Sequence, residues 1–264
     1  MEPPPILFDD ETTLVLDKPP GLPVAASRPG ESCLNTLVRE RFGREVRAVH
    51  KLDPEAGGPV VYARTKPALD FLSGQFQSKT AGVLWSALVT VTPVAGAARP
   101  DRLVRDEHGL PPEACVLDWP LMEDPLKPGL WRIGRRQEAR ATATGVRRLE
   151  LFGRFALLEC AAPVAPLHQV RVHLAAAGLP VLNDPDYGPS GLELRLSDLK
   201  RGYKGLADER PLIRGLALHL ARLTLRHPGT REPLEVESSP PREFEVALKN
   251  LRKFAARGLD RPAG

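Results

Sequence analysis

Proline constrains this chain more than any other residue: there are 28 among 264 residues, scattered from end to end rather than gathered in one linker. Proline fixes φ at about −65° and offers no backbone N–H, so it ends helices and is confined to strand ends, edges and turns. A chain punctuated in this way folds into short elements joined by loops. Its hydrophobic fraction, 42% of residues, is still enough for a core, which excludes a wholly disordered chain. No internal repeat is present. No apolar run approaches the ~20 residues of a membrane-spanning helix. The opening Met1–Asp10 has three prolines and three acids but no basic start before an apolar stretch. A secretory signal is therefore not expected, and the expected location is cytoplasmic with no membrane partner.

Period-two and β-branched runs predict strands at Ile6–Phe8 and Thr12–Leu16, around the turn Asp9-Asp10-Glu11, and at Pro59–Ala63 and Val83–Val91. Further strands are predicted at Val116–Trp119, Gly145–Glu150, Phe155–Cys160, Leu216–Leu225 and Leu234–Glu237. The last two form a hairpin across His227-Pro228-Gly229-Thr230. Helices are predicted at Leu34–Phe42, from a Thr65 cap through Ser78 with Leu69, Leu72 and Phe76 inward, and from about His168 to Ala177. The stretch Pro93–Arg140 reads as a few short strands on long loops. Glu243–Ala256 closes the chain as an amphipathic helix, apolar at Phe244, Leu248, Leu251 and Phe254 and basic at Lys249, Arg252, Lys253 and Arg257. Many strands with a few helices mean an α+β fold, a mixed and mostly antiparallel sheet flanked by helices and loops. One domain spanning 1–264 is expected, with 243–264 a basic helix and tail.

Cys33, Cys115 and Cys160 are odd in number and far apart, which predicts reduced thiols and no zinc knuckle. Net charge is only +4, yet 28 of the 37 basic residues are arginine, whose planar donor fork suits phosphate. A nucleic-acid partner is thus permitted, though genomic base composition produces the same bias. Phosphate-loop, HExxH, Gly-x-Ser-x-Gly and calcium-loop signatures are all missing from the sequence. His168 and His173, five apart, fall on different helix faces, so no shared metal is expected. A hydrolytic carboxylate pair of Asp53 and Glu55 is weaker than the plain alternative of solvated loop acids.

One constellation rises above this background. Val49-His50-Lys51-Leu52-Asp53 sets a carboxylate at the mouth of the tight turn Pro54–Gly58, between two potential cations. Further on come His168-Gln169-Val170-Arg171-Val172-His173-Leu174 and Asp184-Pro185-Asp186-Tyr187-Gly188. In this order and spacing, with the opening segment Ile6–Leu22, Gln75-Phe76, Lys79, Ala87-Leu88-Val89, His219, His227-Pro228 and Phe244, the chain resembles the RluA-type pseudouridine synthases over roughly residues 6–245. No S4-type RNA-binding domain precedes Ile6, so the catalytic domain alone is expected.

The resemblance implies a pseudouridine synthase fold with RNA in a central cleft, no metal and no organic cofactor. It implies an isomerase that turns uridine into pseudouridine in ribosomal or transfer RNA, with Asp53 as catalytic carboxylate and Arg171 paired with it. Lys51, Trp85, His168 and Gln169 are the expected substrate-binding residues. A monomer is favoured. Chemistry on a base within RNA requires extruding the nucleotide from its stack, at about a few kcal/mol. Four departures gather around the same pocket. Lys51 stands where arginine is usual, keeping charge but losing the two-pronged grip. Trp85 stands where a tyrosine is usual: its indole can stack on uracil but lacks a phenol's proton chemistry, and a core tryptophan is the alternative. Ala56-Gly57-Gly58 and Ala165-Pro166-Leu167 replace Thr-Ser-Gly and Gly-Arg-Thr. A catalytically impaired relative that acts as an RNA-binding protein is the competing reading.

Overall fold

The computed structural model describes residues 4–91, 110–134, 139–164, 166–200, 202–203, 205 and 208–255. Ala165, much of the expected loop region 93–140 and the basic tail from 256 onward lie outside them. The described residues divide into two compact units interleaved along the chain. The first comprises Met1–Trp85, Ala161–His168 and His219–Pro240; the second comprises Ser86–Cys160, Gln169–Leu218 and Pro241–Gly264.

In the first unit, β1 (Ile6–Asp9), β2 (Thr13–Lys18), β3 (Arg47–Ala48) and β4 (Gly58–Ala63) form a four-stranded antiparallel sheet in the order β1-β2-β4-β3. Every residue of β4 is buried, so its run of apolar residues reads as a central strand. Two helices belong to this unit, α1 (Leu34–Phe42), which buries Leu34, Leu37 and Val38, and α2 (Lys66–Gln77). Thr65 caps α2 as its hydroxyl accepts from Ala68 N, and Pro67 occupies the first turn.

The inward face of α2 differs from the sequence reading. Ala68, Leu72 and Gln75 are buried, while Leu69 and Phe76 are half-buried. Gln75 is drawn in because its amide closes two hydrogen bonds with the backbone of Arg226, which offsets its desolvation. β5 (Gly82–Thr90) starts in this unit and ends in the second.

The second unit holds β6 (Ala114–Leu117), β7 (Leu121–Glu123), β8 (Trp131–Ile133), β9 (Thr144–Phe152) and β10 (Phe155–Ala161, its last residue in the first unit). β6 pairs antiparallel with β9, and β7 with β8; the sequence had placed Trp119 in a strand, and it lies beyond the end of β6. α3 (Gln169–Ala176) starts one residue later than expected. A single turn, α4 (Leu196–Leu199), follows. Back in the first unit, β11 (Leu218–Arg226, its first residue in the second unit) and β12 (Pro233–Glu237) form the expected hairpin, with Arg226 opposite Pro233. α5 (Arg242–Phe254) buries Phe244, Ala247, Leu248 and Leu251. The whole is an α+β fold built on antiparallel sheets with few helices. Among the described residues no helix is long and apolar enough to cross a membrane.

Candidate active site

Asp53 lies between two strands of the first sheet, on the segment linking β3 to β4. Asp53 and Pro54 take the first two positions of a β-turn closed by Ala56 N donating to Asp53 O at 3.2 Å, the positions those residues favour. The turn is tied down from below: Pro54 O accepts from Gly21 N at 2.8 Å and from Lys18 Nζ at 3.0 Å. Its exit demands glycine. Gly58 has φ +129°, and a Cβ there would lie 2.4 Å from Leu220 O of β11. Close contact of β4 with β11 thus requires glycine at 58, the position at which the usual Thr-Ser-Gly also has glycine.

His50 holds the entry to the turn. Its Nδ1 donates to Lys51 O (3.1 Å), its Nε2 accepts from Val61 N of β4 (3.2 Å), and its ring packs tilted against Phe76 with centroids 4.6 Å apart. Burial pushes this imidazole down to about 4, so it is neutral and fixes backbone rather than carrying charge. Lys51 itself is exposed.

Asp53 is 4% exposed. Two basic groups of its own unit stand near it. His168 Nε2 is 3.9 Å from Asp53 Oδ2, and its backbone is left-handed at φ +62°. Such a φ is uncommon outside glycine and turns the chain sharply just before α3. The expectation that His168 opens the helix is corrected accordingly. Lys18, at the end of β2, is 1% exposed and donates to Pro19 O and Pro54 O, both at 3.0 Å. Burial pushes its ammonium down to about 8, against the carboxylates of Asp53 and Glu55, which hold it up. The sequence reading quoted Lys18 and His50 only as parts of motifs. A lysine between a strand and two prolines reads as a solvated end, and no periodicity marks it as buried.

Trp85 is 5% exposed in β5, and its indole N–H donates to Ala162 O at 3.0 Å. That contact is the way a core tryptophan satisfies its polar edge. Gln169 and Arg171 belong to α3 in the second unit. Gln169 Nε2 donates to Ala143 O (2.9 Å) and Thr144 Oγ1 (3.1 Å), while its Oε1 is buried with no hydrogen-bond donor among the described residues. Arg171 is fully buried and grips Asp184 with two prongs, Nε to Oδ2 at 2.9 Å and Nη2 to Oδ1 at 2.7 Å; Nη2 also donates to Asp186 Oδ2 at 2.6 Å. The Tyr187 ring lies 5.1 Å from this guanidinium, and its hydroxyl accepts from Trp131 N. His173 is also buried, bonded to Trp119 O and Thr144 Oγ1, and burial holds it below its ordinary value. Among the described residues no group of histidine, cysteine and acid side chains is arranged to hold a metal ion.

Residues 12–176, which contain both the Asp53 turn and α3, match the family model described as RNA pseudouridylate synthase. The chain belongs to this family. The resemblance carried by His50–Asp53 and His168–Leu174 is thereby borne out, and with it membership in a family of isomerases. An "Uncharacterized RNA pseudouridine synthase" of Chloroflexus aurantiacus is 29% identical over 91% of this chain and 67% of its own length. The "Ribosomal large subunit pseudouridine synthase D" of Neisseria meningitidis serogroup B is 30% identical over 97% of this chain and 62% of its own. The chain thus spans about two thirds of the length of these relatives. Among solved structures, "Human RNA Pseudouridylate Synthase Domain Containing 4" superposes with a TM-score of 0.67 at 24% identity, covering 94% of this chain and 92% of that one. The pseudouridine synthase fold follows from that likeness.

Proposed function

We propose that this chain isomerises uridine to pseudouridine in RNA, with Asp53 as the reacting carboxylate. The reaction breaks the N1–C1′ bond, turns the uracil over, joins C5 to C1′ and releases the C5 proton. A carboxylate beside the sugar serves such chemistry as nucleophile or base. One observation carries the assignment: Asp53 is buried in a turn whose backbone is held by His50, Lys18 and Gly21, rather than waving in solvent as loop acids do. Holding a reacting group in one direction removes orientational entropy from the barrier. Lys18 adds positive potential on its own side of the chain.

Arg171 remains in the proposal as the cation the resemblance sets beside Asp53, its direction fixed by the grip on Asp184. Gln169 contributes the buried Oε1 as an acceptor for a base N–H, since an orphaned acceptor costs about 1–3 kcal/mol until a donor arrives. Lys51, exposed on the same segment as Asp53, is the phosphate or sugar contact. Ribosomal RNA is the first candidate substrate, since relatives carry that name, and transfer RNA the second. The proposal needs a single copy of the chain, in the cytoplasm, without metal or organic cofactor, acting as one catalytic domain.

The second reading, an impaired relative that binds RNA, is favoured by Trp85, whose N–H is committed to Ala162 and which offers no phenol. Tritium release from RNA labelled at uridine C5 separates the two. The unmodified protein is expected to release tritium and Asp53→Ala to release none. No release from any cellular RNA by the unmodified protein contradicts the enzymatic reading.

A further inference from the structure

A cavity of about 160 Å³ opens between α1 and β3 in the first unit, lined by Asn35, Arg39, Val46, Arg47 and Ala48. None of these residues belongs to the Asp53 turn. Asn35 and Arg39 are four apart on α1 and so face the same way, one turn above the other. Arg47 and Ala48 come from the two-residue edge strand β3, and buried Val46 precedes them. The two arginines are exposed, and among the described residues neither forms an ion pair.

The floor is equally one-sided. Tyr62 of β4, the pairing partner of Ala48, donates its hydroxyl to Asn35 Oδ1 at 2.9 Å. That bond occupies the carbonyl end of the amide and leaves its NH₂ as the end available to an occupant. All three polar side chains lining the cavity, two guanidiniums and one amide, therefore present donors, and no carboxylate lines it. A donor-only cavity with two forks at its rim matches an oxyanion with several acceptor oxygens.

We propose that this cavity binds a backbone phosphate of RNA, outside the nucleotide undergoing isomerisation. The proposal rests on the RNA-directed reading above and adds to it a place where the strand is held. Phosphate contacts fix register without reading sequence, and each one lost lowers the salt dependence of binding by about one unit of slope.

The test uses the full chain and a short labelled RNA lacking uridine, with affinity measured by fluorescence anisotropy over a range of salt. Arg39→Gln combined with Arg47→Gln is expected to weaken binding by about tenfold or more near physiological salt and to lower the slope by one to two. Asn35→Asp, nearly the same shape and still able to accept from Tyr62, is expected to weaken binding by at least as much as either arginine change alone. The charge-matched pair Arg132→Gln and Arg242→Gln is expected to lower the slope less. Melting temperatures confirm that all variants are folded. Equal losses in the two arginine pairs, or an unchanged slope in the first, overturn the proposal. Uridine monophosphate that competes for the cavity as well as the oligomer would make it a mononucleotide site and also overturn it. Tritium release by the unmodified protein is measured alongside. Release with an unchanged slope removes the cavity but not the enzyme, whereas neither release nor RNA binding removes both.

Discussion

Two buried clusters of charge, one in each unit, are built in opposite ways. In the second unit, Arg171 and Asp184 meet in a two-pronged pair with both side chains fully buried, and Asp184 Oδ1 also accepts from the backbone N–H of Asp186 and Tyr187. In the first, His168 Nε2 lies 3.9 Å from Asp53 Oδ2, and the Lys18 ammonium is directed to two backbone carbonyls. A closed bidentate pair fixes geometry and holds loops together. The Lys18 ammonium, held by backbone carbonyls, ties the Asp53 turn down through its main chain. The difference teaches that buried charge is fixed in two ways, by a side-chain pair around Asp184 and through the main chain of its own turn around Asp53.

The largest expected effect is on stability. Arg171→Ala strands two carboxylates, one of them fully buried, and should cost about 3–5 kcal/mol in denaturant unfolding. A loss under 1 kcal/mol would mean that the second cluster is no more structural than the first.

Lys18 sharpens the comparison through pH. Its ammonium sits at about 8 in the folded chain, below the ordinary 10.5, so between those values the unfolded chain binds the proton that the folded chain has released. This group alone therefore makes stability rise from pH 8 toward 10.5. Activity is expected to move the other way, falling above about pH 8 as the cation near Asp53 is discharged. Turnover profiles of the unmodified protein and Lys18→Arg, whose charge persists, check this: the alkaline fall should move upward in the variant. An unmoved fall assigns it to another group.

Buried neutral histidines give a smaller effect at acid pH. His50 lies at about 4, and His173 and His219 are also held below their ordinary 6.5, each chiefly by burial. Their stabilisation is complete above about 6.5 and is lost as pH falls toward 4, because the unfolded chain takes up protons first. Melting temperatures should decline across this window, and less steeply in His50→Gln. The smallest effect concerns Trp85→Tyr. If a missing phenol limits turnover, the rate should rise a few-fold, with stability falling by about 1 kcal/mol for the lost indole bond to Ala162. A folded variant with unchanged or lower turnover removes that role.

Much of the fold was legible because periodicity and punctuation are local. The Thr65 cap, the Pro67 first turn and the hairpin across His227–Thr230 each follow from a few adjacent residues. Gln75 was not among the residues expected inward, because its burial depends on the backbone of Arg226, 151 residues away. The two-residue β3 and the short β7 and β8 carry too few residues to show a period. At the candidate site, the turn that holds Asp53 was legible from its residues, while Arg171 was named from the motif alone. The hold of Asp184 on Arg171, and of Lys18 on the Asp53 turn, was not, because each joins segments that only the folded chain brings together.

The central claim is that Asp53 reacts while Asp184 supports, and one paired measurement tests it most directly. Asp53→Asn and Asp184→Asn are nearly isosteric, and each is assayed for tritium release and for thermal unfolding. The account predicts that Asp53→Asn loses at least ~10³-fold in turnover with its melting temperature within a few degrees of the unmodified protein. It predicts that Asp184→Asn melts far earlier, having weakened the grip on Arg171, yet turns over at temperatures where it remains folded. Turnover that survives in Asp53→Asn would contradict it.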